Sequence, residues 1–173
     1  MELPDITFQL LVNELVKYTL KKGSEEGLTE ALLNHTKEQI LEKSAKLKSL
    51  GSNLSGKLMF RIVKDHVWLK EENAILRFIC KEFWMYLFGK NVDRLQTNNR
   101  GVFIIYDYKF TWIQTCSVET TEPELTESIH KLQLLYLGLV SGFIKGGLHS
   151  LGINASVEGA TEAEGTKFTI TLR

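Results

Sequence analysis

The pattern of apolar and polar positions predicts two amphipathic helices in the first third of the chain. The first extends from Asp5 to about Leu20, and the second begins at Thr36, which forms a capping box with Gln39. The apolar stripes, spaced by three and four residues, are Phe8, Leu11, Val12 and Leu15 in the first helix and Ile40, Ser44, Leu47, Gly51, Leu54, Leu58 and Ile62 in the second. We expect residues 21–36, which are mostly polar, to form a mobile connector between the two helices.

A third helix is predicted over residues 71–89, and it is apolar on nearly every side. Between Phe78 and Phe88 only Lys81 and Glu82 form a polar edge. A helix in contact with solvent needs a polar face, so a helix that lacks one belongs inside the fold. We therefore predict that this central helix fills the core.

Four segments rich in β-branched and aromatic residues, or alternating in polarity, predict two β-hairpins. The first hairpin consists of VFIIYDY and KFTWIQTC, and the second of residues 153–157 and 168–172. Between them, a long helix is predicted from Thr121, in a capping box with Glu124, to about Leu151, with Gly152 as its stop.

This order of elements predicts an α+β fold. It comprises three helices, a β-hairpin, a long helix and a second β-hairpin, and an antiparallel four-stranded sheet packs against the helices. We treat residues 1–173 as a single domain, because a chain of this length is typical of one domain.

The long last helix contains Gly142, Gly146 and Gly147 within the sequence SGFIKGG. This sequence lacks the GxxxxGK[ST] order and the preceding strand of a phosphate-binding loop. Each glycine inside a helix costs ~1 kcal/mol relative to alanine. We expect the close approach of another backbone to offset that cost, and the small residues Ser44 and Gly51 of the second helix would permit it.

Composition is typical of a soluble globular protein, with 43% hydrophobic and 24% charged residues. The 21 basic and 21 acidic residues give zero net charge, which argues against binding to nucleic acid. The two cysteines, Cys80 and Cys116, have no paired spacing, as is usual for proteins of the reducing cytosol. The uncharged run over residues 134–144 is too short to span a membrane.

No arrangement of residues in the sequence predicts catalysis, metal binding or a cofactor. The histidines at 35, 66, 130 and 149 fall in no HExxH or Cys/His cluster, and no GxSxG elbow is present. We therefore predict that the protein is not an enzyme. Basic residues on the polar faces of the second helix are either an ordinary solvated face or a basic surface for an acidic membrane or partner. They are Lys37, Lys43, Lys46, Lys48, Lys57, Arg61 and Lys64.

Several separated motifs resemble the small α+β subunits of the transport protein particle, TRAPP, and most of all the subunit-six branch. The resemblance covers residues 50–173, and the N-terminal third matches in helix pattern only. The motifs, in family order, are the segment over residues 51–80, FICKEFW, RLQTNNRG, YDYKF and YLGLVSGFIKGGLHSLGI.

The resemblance implies a non-catalytic scaffold subunit of a tethering complex in ER-to-Golgi and Golgi vesicle transport. That complex also acts as a guanine-nucleotide exchange factor for a Rab-type GTPase. It implies a cytoplasmic protein at ER and cis-Golgi membranes, which contacts membrane and GTPase only through the complex. It further implies a heterodimer with the acylated TRAPP subunit through the first two helices. The pairing surface would use Phe8, Leu11, Val12 and Leu15, with Leu47, Leu54 and Leu58 opposite.

One departure from the family bears on lipid attachment. The acylated relative carries a cysteine shortly after its second helix, whereas residues 66–70 of this chain contain none, so we predict no lipid thioester. A second function remains open, because relatives of this fold bind small molecules or haem. In that alternative, the aromatic residues between Phe78 and Phe88 line an apolar pocket for a small molecule or an acyl chain.

Overall fold

The computed structural model describes residues 6–21, 27–65, 71–98, 100–114 and 122–173. The helices are α1 (Ile6–Lys21), α2 (Leu28–Asn34), α3 (Lys37–Ile62), α4 (Glu72–Phe78), α5 (Trp84–Phe88), α6 (Thr111–Gln114) and α7 (Pro123–Ser150). A 3-10 turn, Val63–Asp65, follows α3, and a π-helical segment, Ile79–Phe83, joins α4 to α5. The strands are β1 (Arg94–Thr97), β2 (Val102–Asp107), β3 (Ala155–Glu162) and β4 (Gly165–Leu172).

The four strands form one antiparallel sheet in the order β1-β2-β4-β3. Each hairpin contributes one edge strand and one central strand, so the two hairpins meet through β2 and β4. The inward residues of β2 and β4 include Phe103, Ile105, Phe168 and Ile170, all buried beneath the helices. The predicted α+β fold with a four-stranded antiparallel sheet is therefore confirmed.

The first hairpin uses different segments from those predicted. The partner of β2 is β1, which precedes it in the chain, and not KFTWIQTC. Within KFTWIQTC, Thr111–Gln114 form the short helix α6, and Trp112 and Ile113 are buried. Residues 115–121 lie outside the described residues, and with them Cys116 and the predicted cap at Thr121. The first residue of α7 is Pro123, as its fixed φ favours.

The second half of the predicted connector is helical. Leu28–Asn34 form α2, and Ala31 and Leu32 on this helix are buried, so the prediction of a connector was wrong there. Residues 22–26 lie outside the described residues, and their predicted mobility stays a prediction. The capping box at the start of α3 is confirmed, because the Gln39 N–H donates to the Thr36 hydroxyl and the Thr36 N–H to the Gln39 side chain.

Helices α3 and α7 lie side by side with their backbones in close contact, as the glycines predicted. A Cβ atom added at Gly142 would lie 2.1 Å from the carbonyl oxygen of Lys48, and one at Gly146 would lie 2.1 Å from that of Ser52. Gly51 of α3 packs against α7 in the same way, because a Cβ atom added there would lie 2.4 Å from the carbonyl oxygen of Leu139. Side chains larger than hydrogen would separate the helices, so these glycines set their spacing.

The central helix, residues 72–88, is buried as predicted but has a wider exposed face. Phe83 and Trp84 are fully buried, and the π-helical segment inserts an extra residue that rotates the helix, so that a broad set of positions faces inward. Met85 and Tyr86 are 46% and 52% exposed, and with Lys81 and Glu82 they form a wider exposed edge. The prediction that the central helix fills the core is thus corrected at these two residues.

Candidate interaction surfaces

Titratable side chains do not gather into a reactive cluster among the described residues. No group of three or more His, Cys, Asp or Glu side chains there could hold a metal ion. Cys80 is 7% exposed, and burial raises the pKa of its thiol to about 12. A thiol with such a pKa is almost entirely protonated at neutral pH and is a poor nucleophile.

One buried carboxylate, Asp107 at the end of β2, was not anticipated from the sequence. It accepts hydrogen bonds from the indole N–H of Trp84 at 2.9 Å, from Lys90 Nζ at 2.6 Å and from the backbone N–H of Lys109 at 3.1 Å. Lys90 Nζ also bonds Asp93 at 3.0 Å. Every polar group here has a partner, so the network joins the central helix to the sheet and is structural.

The network shifts the pKa of both of its peripheral charges. Burial works against the ammonium of Lys90, but the hydrogen bonds that it donates to the carboxylates of Asp107 and Asp93 outweigh it and raise the pKa of Lys90. Burial also disfavours the carboxylate of Asp93, yet hydrogen bonds from Lys90 Nζ and the Tyr108 N–H lower the pKa of Asp93 overall. Both groups are therefore held in their charged forms.

The seven residues of the predicted pairing surface divide into buried, partly buried and exposed residues. Val12 is 2% and Leu47 0% exposed, so both belong to the domain's own core, and their assignment to a partner surface is corrected. Phe8 is half-buried, with its ring 6.1 Å from that of Trp112 and 6.0 Å from that of Phe143. Leu15 and Leu58 are also partly buried against the core.

The remaining two residues, Leu11 and Leu54, are 61% and 40% exposed. Other exposed or partly exposed apolar residues lie next to them on both helices. Leu11, Leu15 and Tyr18 follow the helical spacing of four and three residues on α1, and the ring of Tyr18 is 74% exposed. Leu50, 42% exposed, lies four residues before Leu54 on α3. Sequence reasoning missed Tyr18 and Leu50, although their spacing from Leu11 and Leu54 could have revealed them.

These exposed residues of α1 and α3 lie on neighbouring surfaces. The Nζ of Lys43 donates to the backbone oxygen of Thr19 at 2.6 Å, so the end of α1 lies beside this turn of α3. Leu50 and Leu54 are seven and eleven residues after Lys43, on the same face of α3. We call Leu11, Leu15, Tyr18, Leu50 and Leu54 the α1–α3 face.

Three of the basic residues of α3 make contacts within the domain. Besides Lys43, Lys46 pairs with Glu42 at 2.6 Å, and Lys48 Nζ donates to the backbone oxygen of Val157. At 3.6 residues per turn, Lys43, Lys46, Lys57 and Arg61 lie on one side of α3, and Lys48 lies on another. The basic surface for an acidic membrane or partner therefore stays a prediction.

The aromatic residues of the core pack on one another. Trp84 and Phe88 have ring centroids 4.6 Å apart, and Phe88 lies 5.0 Å from both Phe110 and Trp112 in edge-to-face geometry. Such pairs add roughly 0.5–1.5 kcal/mol each beyond the burial of their area. Packing therefore accounts for the aromatic residues that the ligand-binding alternative assigned to a pocket.

A family model described as "Transport protein particle (TRAPP) component" matches residues 8–173. The chain belongs to the TRAPP component family. Trafficking protein particle complex subunit 6B of Mus musculus is 35% identical over 150 residues, covering 87% of this chain and 84% of the relative. Human subunit 6A is 28% identical over 122 residues, covering 68% and 69%. These relatives place this TRAPP component in the subunit-six branch, as the motifs predicted.

A solved structure has the same fold. It is the crystal structure of a trafficking protein particle complex subunit 3 from Naegleria fowleri covalently bound to palmitic acid. The TM-score is 0.62 at 15% identity, over 97% of this chain and 92% of that one. Membership of the family gives this TRAPP component a role in a trafficking complex, in contact with other TRAPP subunits.

None of the helices in the described parts of the chain has the length and apolar character that crossing a bilayer requires.

Proposed function

We propose that this TRAPP component is a non-catalytic scaffold subunit of a tethering complex in ER-to-Golgi and Golgi vesicle transport. In this role it supports the assembly of a complex that exchanges guanine nucleotide on a Rab-type GTPase. It works in the cytoplasm, at the surface of ER and cis-Golgi membranes, and reaches both membrane and GTPase through the assembled complex.

The α1–α3 face is the surface proposed to bind the partner, a small TRAPP subunit of the acylated type. The observation that carries the proposal is the exposure of Leu11, Tyr18, Leu50 and Leu54 on two helices that meet at Lys43. Apolar side chains clustered on a surface favour a protein partner, because their burial releases the water around them. The proposal keeps Leu11, Leu15 and Leu54 from the sequence-based surface, with Phe8 and Leu58 at its partly buried border.

A direct test is purification of the tagged chain from cells under native conditions, followed by mass spectrometry of the intact assembly. The expected result is a heterodimer with an acylated-type TRAPP subunit inside a larger complex. Recovery of the chain alone would contradict the proposed pairing.

The proposed support of nucleotide exchange has its own measurement. Complexes reconstituted with and without this subunit are compared by the rate of GDP release from the Rab-type GTPase. We expect the rate to fall when the subunit is omitted, because the assembly is then incomplete. An unchanged rate with correct assembly of the remaining subunits would restrict the role to tethering.

A further inference from the structure

A groove lies between α3, α7 and the outer edge of the sheet. It has two adjoining parts with volumes of about 520 and 330 Å³, and both are lined by Leu134 and Leu137 of α7. Its walls are formed by Lys37, Leu41, Ala45 and Lys48 on the α3 side and by Glu158, Gly159 and Thr161 on the β3 side. We call this site the edge groove.

The β3 side of the edge groove is a strand edge. In the hairpin of β3 and β4, the pair Glu162 and Gly165 closes a two-residue turn, and hydrogen-bonded pairs then alternate along the strands. Gly159 and Thr161 lie at the non-hydrogen-bonded pairs of this hairpin, so their N–H and C=O groups point away from β4. No described residue hydrogen bonds to these backbone groups.

Lys48 protects only part of this edge. Its Nζ donates to the backbone oxygen of Val157, the next outward-pointing residue along β3. Lysine at an edge is a common way to prevent pairing with another chain. Here that protection ends at Val157, and Gly159 and Thr161 remain available.

We propose that the edge groove binds an extended segment of another protein, which pairs antiparallel with β3 at Gly159 and Thr161. Addition of a strand to an exposed sheet edge is a general mode of peptide recognition, in which backbone hydrogen bonds provide affinity and pockets provide specificity. The antiparallel direction continues the pattern of the whole sheet.

The orientation of β3 specifies the side chains of the bound segment. Val157 is fully buried, and a Cβ atom at Gly159 would meet Phe168 and Ser141. The β3 residues whose backbone groups point to the open edge therefore have their side chains on the face of the sheet that packs against the helices. Residues opposite each other on paired strands share a face. The segment's residues opposite Gly159 and Thr161 therefore lie over Leu134 and Leu137, and we expect them to be apolar.

Charge specifies one end of the segment. The edge groove is lined by three lysines, two glutamates and His130. Two of the lysines have acidic neighbours, because Lys131 pairs with Glu127 at 2.8 Å and Lys48 lies near Glu158. Lys37, beside Thr161, makes no ion pair with any described residue. Thr161 lies near the C-terminal end of β3, where an antiparallel segment would begin. An acidic residue at the N-terminal side of that segment therefore complements Lys37.

The edge groove is independent of the α1–α3 face. Leu41 and Leu50 are nine residues apart on α3, which at 3.6 residues per turn places them on opposite sides of the helix. A protein partner on one surface therefore leaves the other accessible. Failure of this proposal would leave the proposed scaffold function unaffected.

The test uses a synthetic probe, acetyl-Glu-Val-Thr-Val-Thr-amide, titrated into the ¹⁵N-labelled full chain at concentrations up to about 1 mM, the weak end of specific affinities. We expect shifts of the Gly159 and Thr161 amide resonances and slower hydrogen exchange at both. The matched control carries N-methyl groups on its two valines, which removes their N–H donors. Its affinity should be lower by about tenfold or more, since two hydrogen bonds are lost.

Two variants at Thr161 separate edge pairing from a merely apolar contact, and a third, at Lys37, tests the charge. Thr161→Pro removes one outward N–H at an edge position where proline is tolerated, and it should weaken the probe about as much as one N-methyl group. Thr161→Val keeps the N–H and should bind normally. Lys37→Glu, at a helix start that favours acidic residues, should keep the fold and weaken the probe.

Three outcomes would overturn the proposal. They are the absence of binding at about 1 mM, equal binding of the N-methylated probe, and resonance shifts centred on Leu11 and Leu54 instead of Gly159 and Thr161.

Discussion

At the scale of single residues, the contact of α3 with α7 depends on atoms that glycine lacks. Gly142→Ala adds a methyl group 2.1 Å from the Lys48 carbonyl oxygen, and backbone atoms cannot move aside as a flexible side chain does. Alanine gains up to about 1 kcal/mol in helix propensity, but overpacking costs roughly 1–3 kcal/mol, occasionally more. We expect a net loss of stability, measured as a lower midpoint of urea unfolding.

Gly56→Ala is the matched control, because Gly56 also lies inside a long helix, α3. Its added Cβ atom would meet only the Ser150 hydroxyl, at 3.3 Å, and that side chain can rotate. The expected effect is neutral or stabilising by up to about 1 kcal/mol. If the two substitutions shifted the unfolding midpoint equally, close packing would not be the reason for Gly142.

Asp93 makes a pH-dependent contribution to stability. Its pKa is lowered in the folded protein, because hydrogen bonds from Lys90 and the Tyr108 N–H outweigh the cost of burial. The lowered pKa of Asp93 stabilises the fold at pH values above its pKa in the unfolded chain, about 3.9. That stabilisation is lost as the pH falls through the pKa of Asp93 in the folded protein.

Asp93→Asn should therefore reduce stability near about pH 7, with a difference from the original protein that shrinks below about pH 4. The asparagine oxygen can still accept the Tyr108 N–H, so the substitution removes mainly the charge. Urea unfolding midpoints across this pH range provide the measurement. A difference that is constant with pH would show that the charge of Asp93 is not what stabilises this loop.

At the scale of elements, the sequence predicted the long helices and the second hairpin because their periodicity extends over many residues. The short elements were harder to predict. Thr111–Gln114 has the β-branched and aromatic composition of a strand, but burial of Trp112 and Ile113 from a single helical turn decided its structure. Strand β1, Arg94–Thr97, has no buried residue, so no alternation signalled it. In such short segments, tertiary packing overrides local propensity.

The central helix gives an element-scale prediction at Phe83, which is fully buried beside Trp84. Phe83→Ala leaves a cavity in the core and should cost roughly 3–5 kcal/mol. The measurement is the free energy of unfolding, with Lys81→Ala on the exposed face of the same segment as the control, expected within about 0.5 kcal/mol. An unchanged melting temperature for Phe83→Ala would contradict the central position of this helix.

At the scale of the whole molecule, apolar stripes in a sequence do not reveal which face packs inside the domain and which binds a partner. Val12 and Leu11 are adjacent and equally apolar, yet one is 2% and the other 61% exposed. Adjacent residues of a helix point about 100° apart, and the Val12 side of α1 faces the domain, where Asn13 accepts a 2.7 Å hydrogen bond from the Tyr136 hydroxyl. That contact joins residues distant in sequence, so periodicity alone could not separate the two surfaces.

The pair Leu11 and Val12 therefore tests the proposed scaffold function directly. Leu11→Asp places a charge on the α1–α3 face, where burial by a partner would desolvate it, while the isolated chain keeps it in water. We expect the purified variant to retain its helix content by circular dichroism and its melting temperature. In native purification it should lose the acylated-type TRAPP subunit.

Val12→Asp is the contrasting variant, because a carboxylate at a position only 2% exposed is removed from water. It should lower the melting temperature of the isolated chain, and loss of the partner would follow from unfolding. Unfolding of Leu11→Asp as well would place Leu11 in the domain's own core. A folded Leu11→Asp protein that still bound the partner would exclude this part of α1 from the interface and leave pairing to other surfaces.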